Sequence, residues 1–152
     1  MSKLTYLIVL WGGCTKELIH ALQVVQTKAG KVVTKLDWYT PTRVVLHQCG
    51  WLSVQQLVVY HTVVMVYKIL KNQSPSYLYS MFSTNYNYGT RQAGSGMIRS
   101  TRTPTLDLAS CSFRYRATVM YNDLPLYLRE KSTLSGFKLA TKDWIRSNIP
   151  VE

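Results

Sequence analysis

A chain of 152 residues with 47% apolar and only 16% charged residues is the length of one domain and can bury roughly 68–70% of the surface its unfolded form exposes. Its 11 Tyr and 4 Trp exclude wholesale disorder, and 5 Pro with 8 Gly exclude collagen-like and low-complexity chains. Eighteen Lys plus Arg against 7 Asp plus Glu give a net charge of +11, which points to a polyanionic partner.

At the start, Lys3, the apolar run Leu4 to Trp11 and Gly12-Gly13-Cys14 imitate a signal peptide. The run is at the short end for the apolar core of such a peptide, and the composition that follows has no extracellular character, so the segment is expected to be retained. From Glu17 to Leu36, apolar residues fall at Leu18, Leu22, Val25, Ala29, Val32 and Leu36, a 4,3,4,3,4 spacing that only a helix gathers on one face. This stripe is expected to meet the core, leaving His20, Gln23, Lys28, Lys31 and Lys35 on the outer, cationic face. Thr40-Pro41 reads as a cap followed by proline at the first position of a helix over 41–49, with Gly50 as its left-handed terminator.

Ser53-Val54-Gln55-Gln56 is a capping box, and Leu52 can staple to Leu57 across it. The helix that follows, 54–72, is apolar nearly all round and is expected to be the central buried element. No stretch reaches the 18 or so unbroken apolar residues that a transmembrane helix needs; Leu57 to Leu70 is interrupted by His61, Thr62 and Lys68. Ser74-Pro75 repeats the cap-then-proline device before a short helix through Phe82. Residues 83–112 are rich in Asn, Ser, Thr and Gly, with Tyr86, Tyr88, Arg91, Arg99 and Arg102 between them. They read as a long, irregular basic segment within the single domain. Regular structure resumes over Phe113 to Asn122, and a last helix over 134–148 presents Leu134, Phe137, Ala140, Trp144 and Ile145 on one side. The expected fold is all-α in the main, an irregular helical bundle carrying a long Arg/Tyr/Gly loop.

Charge is concentrated in the first three quarters. Residues 1–72 hold 8 basic and 2 acidic side chains, 83–116 hold 5 and 1, and 117–152 hold 5 and 4. Every cation of 83–116 is Arg, which suits bidentate phosphate contacts. The candidate nucleic-acid ligands are therefore Lys28, Lys31, Lys35, Arg91, Arg99, Arg102, Arg114 and Arg116, with Tyr86 and Tyr88 as stacking platforms or loop anchors. Arg114 and Arg116, two apart on a helix, face different ways, so one of them is expected to form a structural ion pair.

Chemistry beyond binding finds little support in these residues. Asp37, Asp107, Asp123 and Asp143 are isolated in sequence, whereas two-metal catalysis needs clustered carboxylates. Cys14, Cys49 and Cys111 form no paired zinc motif, and His47-Gln48-Cys49 with His20 or His61 has only generic spacing. No phosphate-cradling GxxxxGK loop or GxSxG elbow is present. Neither a metal nor a cofactor nor a catalytic residue is expected, and the odd cysteine count favours reduced thiols in the nucleus or cytoplasm.

The order of short motifs carries one resemblance. Tyr6-Leu7-Ile8 with Leu10-Trp11-Gly12-Gly13-Cys14, Leu22-Gln23 with Gln26-Thr27-Lys28-Ala29, and Thr40-Pro41-Thr42 are followed by Cys49-Gly50-Trp51-Leu52-Ser53-Val54, Tyr60-His61 and Val66-Tyr67-Lys68-Ile69-Leu70 with Ser74-Pro75. Then come Thr90-Arg91, Phe113-Arg114-Tyr115-Arg116-Ala117, Tyr121-Asn122-Asp123-Leu124-Pro125, and Phe137-Lys138 with Trp144-Ile145. Together they resemble the region after the palm in jockey-like non-LTR retrotransposon reverse transcriptases, over essentially the whole chain. Val9 stands where the family pattern has Pro, and Gly30-Lys31 where it has Ala-Arg, a glycine expected to weaken its helix by about 1 kcal/mol. The resemblance implies the distal thumb and C-terminal extension of an RNA-directed DNA polymerase, without fingers or palm. Such a piece is not an enzyme on its own. It would bind RNA or an RNA/DNA duplex without sequence preference beside the polymerase body of its parent protein, with no membrane partner. Two alternatives are a helical protein-interaction or self-association module, which apolar surface left by the missing thumb and palm would serve, and a small secreted or lipid-anchored protein.

Overall fold

The computed structural model describes residues 2–71, 73–82, 97–98 and 112–151. All regular structure among them is helical: α1 (Ser2–Thr5), α2 (Ile8–Trp11), α3 (Lys16–Thr34), α4 (Thr42–Cys49), α5 (Val54–Leu70), α6 (Ser76–Tyr79), α7 (Phe113–Asn122), α8 (Leu126–Arg129) and α9 (Leu134–Asn148).

α5 is the axis of the bundle, and its start is set by the capping box. Ser53 Oγ accepts the Gln56 N–H at 3.2 Å, and Gln56 Oε1 accepts the Ser53 N–H at 3.0 Å. Two of the helix's orphan donors are thereby satisfied inside the core, where water cannot reach them. Leu52 and Leu57, the staple pair, are buried in one cluster with Ile8, Val58 and Ile145. Gln56 also donates to the Ile149 carbonyl at 2.7 Å, which ties the end of α9 to the start of α5. Replacing Ser53 by Ala removes one of these reciprocal bonds and is expected to cost about 1 kcal/mol; an unshifted thermal midpoint would contradict it.

Further along, Val63, Val66, Tyr67 and Ile69 of α5 pack with Phe82, Ile98, Ala117, Tyr121, Leu124, Leu128 and Phe137. The Tyr67 and Phe137 rings stack at 4.2 Å and 16°, and the Tyr67 hydroxyl donates to the Lys131 carbonyl at 2.6 Å. Burial keeps the Tyr121 phenol neutral, its pKa pushed up to about 12. Ile98 reaches this core from within 83–112: the Asn122 amide exchanges two 2.9 Å bonds with the Ile98 backbone and holds it there. α9 buries Phe137 and Ile145, with Leu134, Ala140 and Trp144 partly covered beside them, as its periodicity predicts.

His61 lies half-buried on α5. Burial, then the ammonium groups of Lys138 and Lys68, hold its imidazole below the ordinary 6.5. The unfolded chain therefore takes up this proton first, so stability falls as pH drops below about 6.5 and the loss levels off below the folded value. His61→Gln should remove that part of the slope when thermal midpoints are measured from about pH 7.5 to 5; an identical profile would contradict it.

Helix boundaries shift modestly from expectation. α3 ends at Thr34 because Lys35 turns left-handed (φ 53), leaving Leu36 outside the helix. α4 begins one residue later than proposed, with Pro41 rather than Thr40 in the cap position, and Gly50 ends it at φ 65. α5 stops at Leu70, and the helix after Ser74-Pro75 is a single turn that ends before Phe82.

The larger correction is the face of α3. Leu18, Val25 and Val32, expected in the core, are 56%, 58% and 75% exposed, and the helix instead buries Gln26, Thr27 and Gly30. Hydrogen bonds explain the reversal. Gln23 Oε1 accepts the Val54 N–H at 2.8 Å, so α3 supplies a partner to the first turn of α5, and Gln26 donates to the Leu52 carbonyl at 2.9 Å. Gly30 lets α4 approach, since a Cβ there would stand 2.6 Å from Val45 Cγ1. A helix that must serve buried polar groups of its neighbours turns its polar side to them even when an apolar stripe is available.

Candidate nucleic-acid interface

The cationic end of α3 is shaped by its own C-terminus. With Lys35 left-handed, the chain reverses: the Leu36 N–H bonds back to the Lys31 carbonyl at 3.2 Å, and Asp37 Oδ1 accepts the Tyr39 N–H at 3.1 Å. These turns bring Trp38 back along the helix. Lys28 Nζ lies 5.8 Å and Lys31 Nζ 5.6 Å from its ring centroid, and Lys31 also donates to the Trp38 carbonyl. A cation near an aromatic face gains about 0.5–1 kcal/mol at exposed sites, enough to bias two long side chains toward one geometry.

Beside this cluster a shallow cavity of about 230 Å³ is lined by His20, Gln23, Val24, Thr27, Lys28, Lys31, Trp38 and Thr42. Thr27 and Thr42 sit at its floor, their hydroxyls 3.4 Å apart. Trp38 and Tyr39 are largely exposed, so aromatic faces and ammonium groups share one surface. Among the described residues no carboxylate pairs with Lys28, Lys31 or Lys35. The arrangement can neutralise phosphates and offer an indole for a base to stack on.

Lys28 and Lys31 are thus brought together at Trp38, whereas Lys35 is the exposed left-handed residue that ends the helix. Arg114 stands apart on α7, exposed, and its neighbour Arg116 is half-buried with its guanidinium donating to the Val9 carbonyl at 3.0 Å. Arg116 therefore clamps α7 to α2, and the structural one of the pair binds a carbonyl of the fold. Arg91, Arg99, Arg102, Tyr86 and Tyr88 lie outside the described residues. Sequence reading missed Trp38. The available signal was an aromatic residue just past a helix end whose last turns carry lysines three apart.

Among the described residues no group of three His, Cys, Asp or Glu side chains gathers, and Cys14 and Cys49 are free thiols. No single helix described is long and apolar enough to cross a membrane. Neither a protein-family model, nor a curated protein, nor a solved structure matches the chain.

Proposed function

We propose that this chain is a nucleic-acid-binding helical region, the distal thumb and C-terminal extension of a non-LTR retrotransposon reverse transcriptase, acting on phosphates without reading sequence and without catalysis of its own. The observation that carries the binding is the lysine and tryptophan cluster at the end of α3, where Lys28 and Lys31 meet no carboxylate among the described residues. The net charge of +11 supports it, as does the order of motifs along the chain. The same reading assigns Arg91, Arg99, Arg102 and Arg114 to the phosphate backbone, leaving Arg116 to the fold. Phosphate contacts position a protein on its ligand but carry no base information, so affinity should be similar for all sequences tested.

The test is a salt titration with an RNA/DNA hybrid, a DNA duplex and a single strand. Log affinity should fall linearly with log salt, with a slope near −0.9 for each duplex phosphate neutralised. Exchanging both Arg99 and Arg102 for Gln should flatten that slope by nearly 2. Affinity that ignores salt, or no binding at low salt, would overturn the reading. Primer extension by the purified chain with magnesium or manganese would overturn its non-catalytic part.

A further inference from the structure

The exposed side of α3 carries a feature that phosphate binding does not use. Leu18, Leu22, Val25, Ala29 and Val32 alternate spacings of four and three residues, which places them on one narrow seam of the helix. Gln26, Thr27 and Gly30 anchor the opposite side to the bundle. A seam repeating every 3.5 residues is the pattern that receives a second helix, knob into hole; a flat apolar surface needs no such register. From Leu18 to Val32 it runs about 21 Å at 1.5 Å per residue, four helical turns.

The flanks say what kind of helix fits. On one edge of the seam Lys28 follows Val25 by three residues, and Lys35 stands just where the helix ends; both are exposed, so the C-terminal part of that edge is cationic. The other edge turns into the protein at Gln26. A second copy of the chain would set Lys28 and Lys35 against another apolar seam with its own lysines, with +11 on each molecule. Like charges flanking a seam oppose pairing, and opposite charges at those positions select it.

We propose that the α3 seam docks an amphipathic helix of another protein, one with apolar residues at alternating three- and four-residue spacing and glutamates or aspartates along the edge that meets Lys28 and Lys35. Because Lys28 also belongs to the phosphate-binding cluster, the acidic helix and nucleic acid compete for the chain.

Two synthetic three-heptad peptides, each stapled as a helix with leucine at the seam positions, test this, one flanked by glutamate and the other by lysine. The intact chain should bind the glutamate peptide at least tenfold more tightly than its lysine twin, and rising salt should narrow the difference. The variant carrying K28E and K35E should reverse the order. Val25→Ser with Val32→Ser should weaken the glutamate peptide at least tenfold, leaving the thermal midpoint and the nucleic-acid salt slope unchanged. That separates this surface from the phosphate-binding reading. Equal binding of the two peptides, or indifference to the Ser pair, overturns the proposal. So would a dimer that the Ser pair dissolves, or uptake on anionic vesicles that the Ser pair abolishes while neither peptide binds.

Discussion

Exchanging Lys28, Lys31 and Lys35 together for Gln should flatten the log affinity against log salt slope on duplex by about 2.7, because each phosphate left without its cation lowers the slope by about 0.9. At roughly 1 kcal/mol for each exposed charge-assisted contact, affinity should fall somewhat over 100-fold. Stability should change little, since Lys28 and Lys35 are exposed; only Lys31 gives up a hydrogen bond within the fold, to the Trp38 carbonyl. Trp38→Ala provides the complement. It leaves every cation in place, so the slope should hold, while single-stranded ligands forgo the roughly 1–3 kcal/mol that base stacking on an aromatic ring supplies. A triple variant with an unchanged slope would move the phosphate contacts away from α3. A Trp38 variant that alters the slope would mean that the indole's main task is to hold the two ammonium groups in position.

The parts of this fold that were legible in sequence are those set by short-range chemistry. The Ser53 and Gln56 capping box, the left-handed Gly50 and the one-sided pattern of α9 all depend on residues within a turn or two of each other, and all three are present in the fold. The face of α3 was misread because periodicity groups residues onto a face without saying which face meets the protein. That choice was made by Leu52 and Val54, 26 and 31 residues away from Gln26 and Gln23. Both belong to the tightly turned start of α5, whose backbone groups needed partners. The binding surface was half legible for a similar reason. The spacing of Lys28, Lys31 and Lys35 announces a cationic face in sequence, but Trp38 joins Lys28 and Lys31 only through the reversal at Lys35. A left-handed lysine is not a conformation that sequence statistics favour. Arg116 likewise reads as a surface cation until α2 presents the Val9 carbonyl to it across the bundle.

Gly30→Ala should destabilise the protein, although helix propensity alone argues for a gain of about 1 kcal/mol. The new Cβ would stand 2.6 Å from Val45 Cγ1, and Val45 is fully buried with a β-branched side chain that has little room to turn away. Overpacking of this kind costs about 1–3 kcal/mol, and here the clash falls where α3 is seated on α4, so the upper part of that range should win over propensity. The displacement would also reach the cavity floor at Thr27 and Thr42 and loosen the Lys28, Lys31 and Trp38 cluster, coupling a packing defect to weaker nucleic-acid binding. Val45→Ala alone should be destabilising through the space it leaves. In the double variant the alanine at 30 faces that space, and the clash is gone. The two changes should therefore be non-additive, the pair being more stable than the sum of the singles predicts by about 1 kcal/mol or more, within the range seen for contacting residues. Additivity would mean that α3 and α4 do not meet at Gly30. The exposed seam of α3 would then have to be reconsidered, because this meeting of helices, together with the Gln23 and Gln26 bonds to Val54 and Leu52, turns Leu18, Val25 and Val32 away from the bundle.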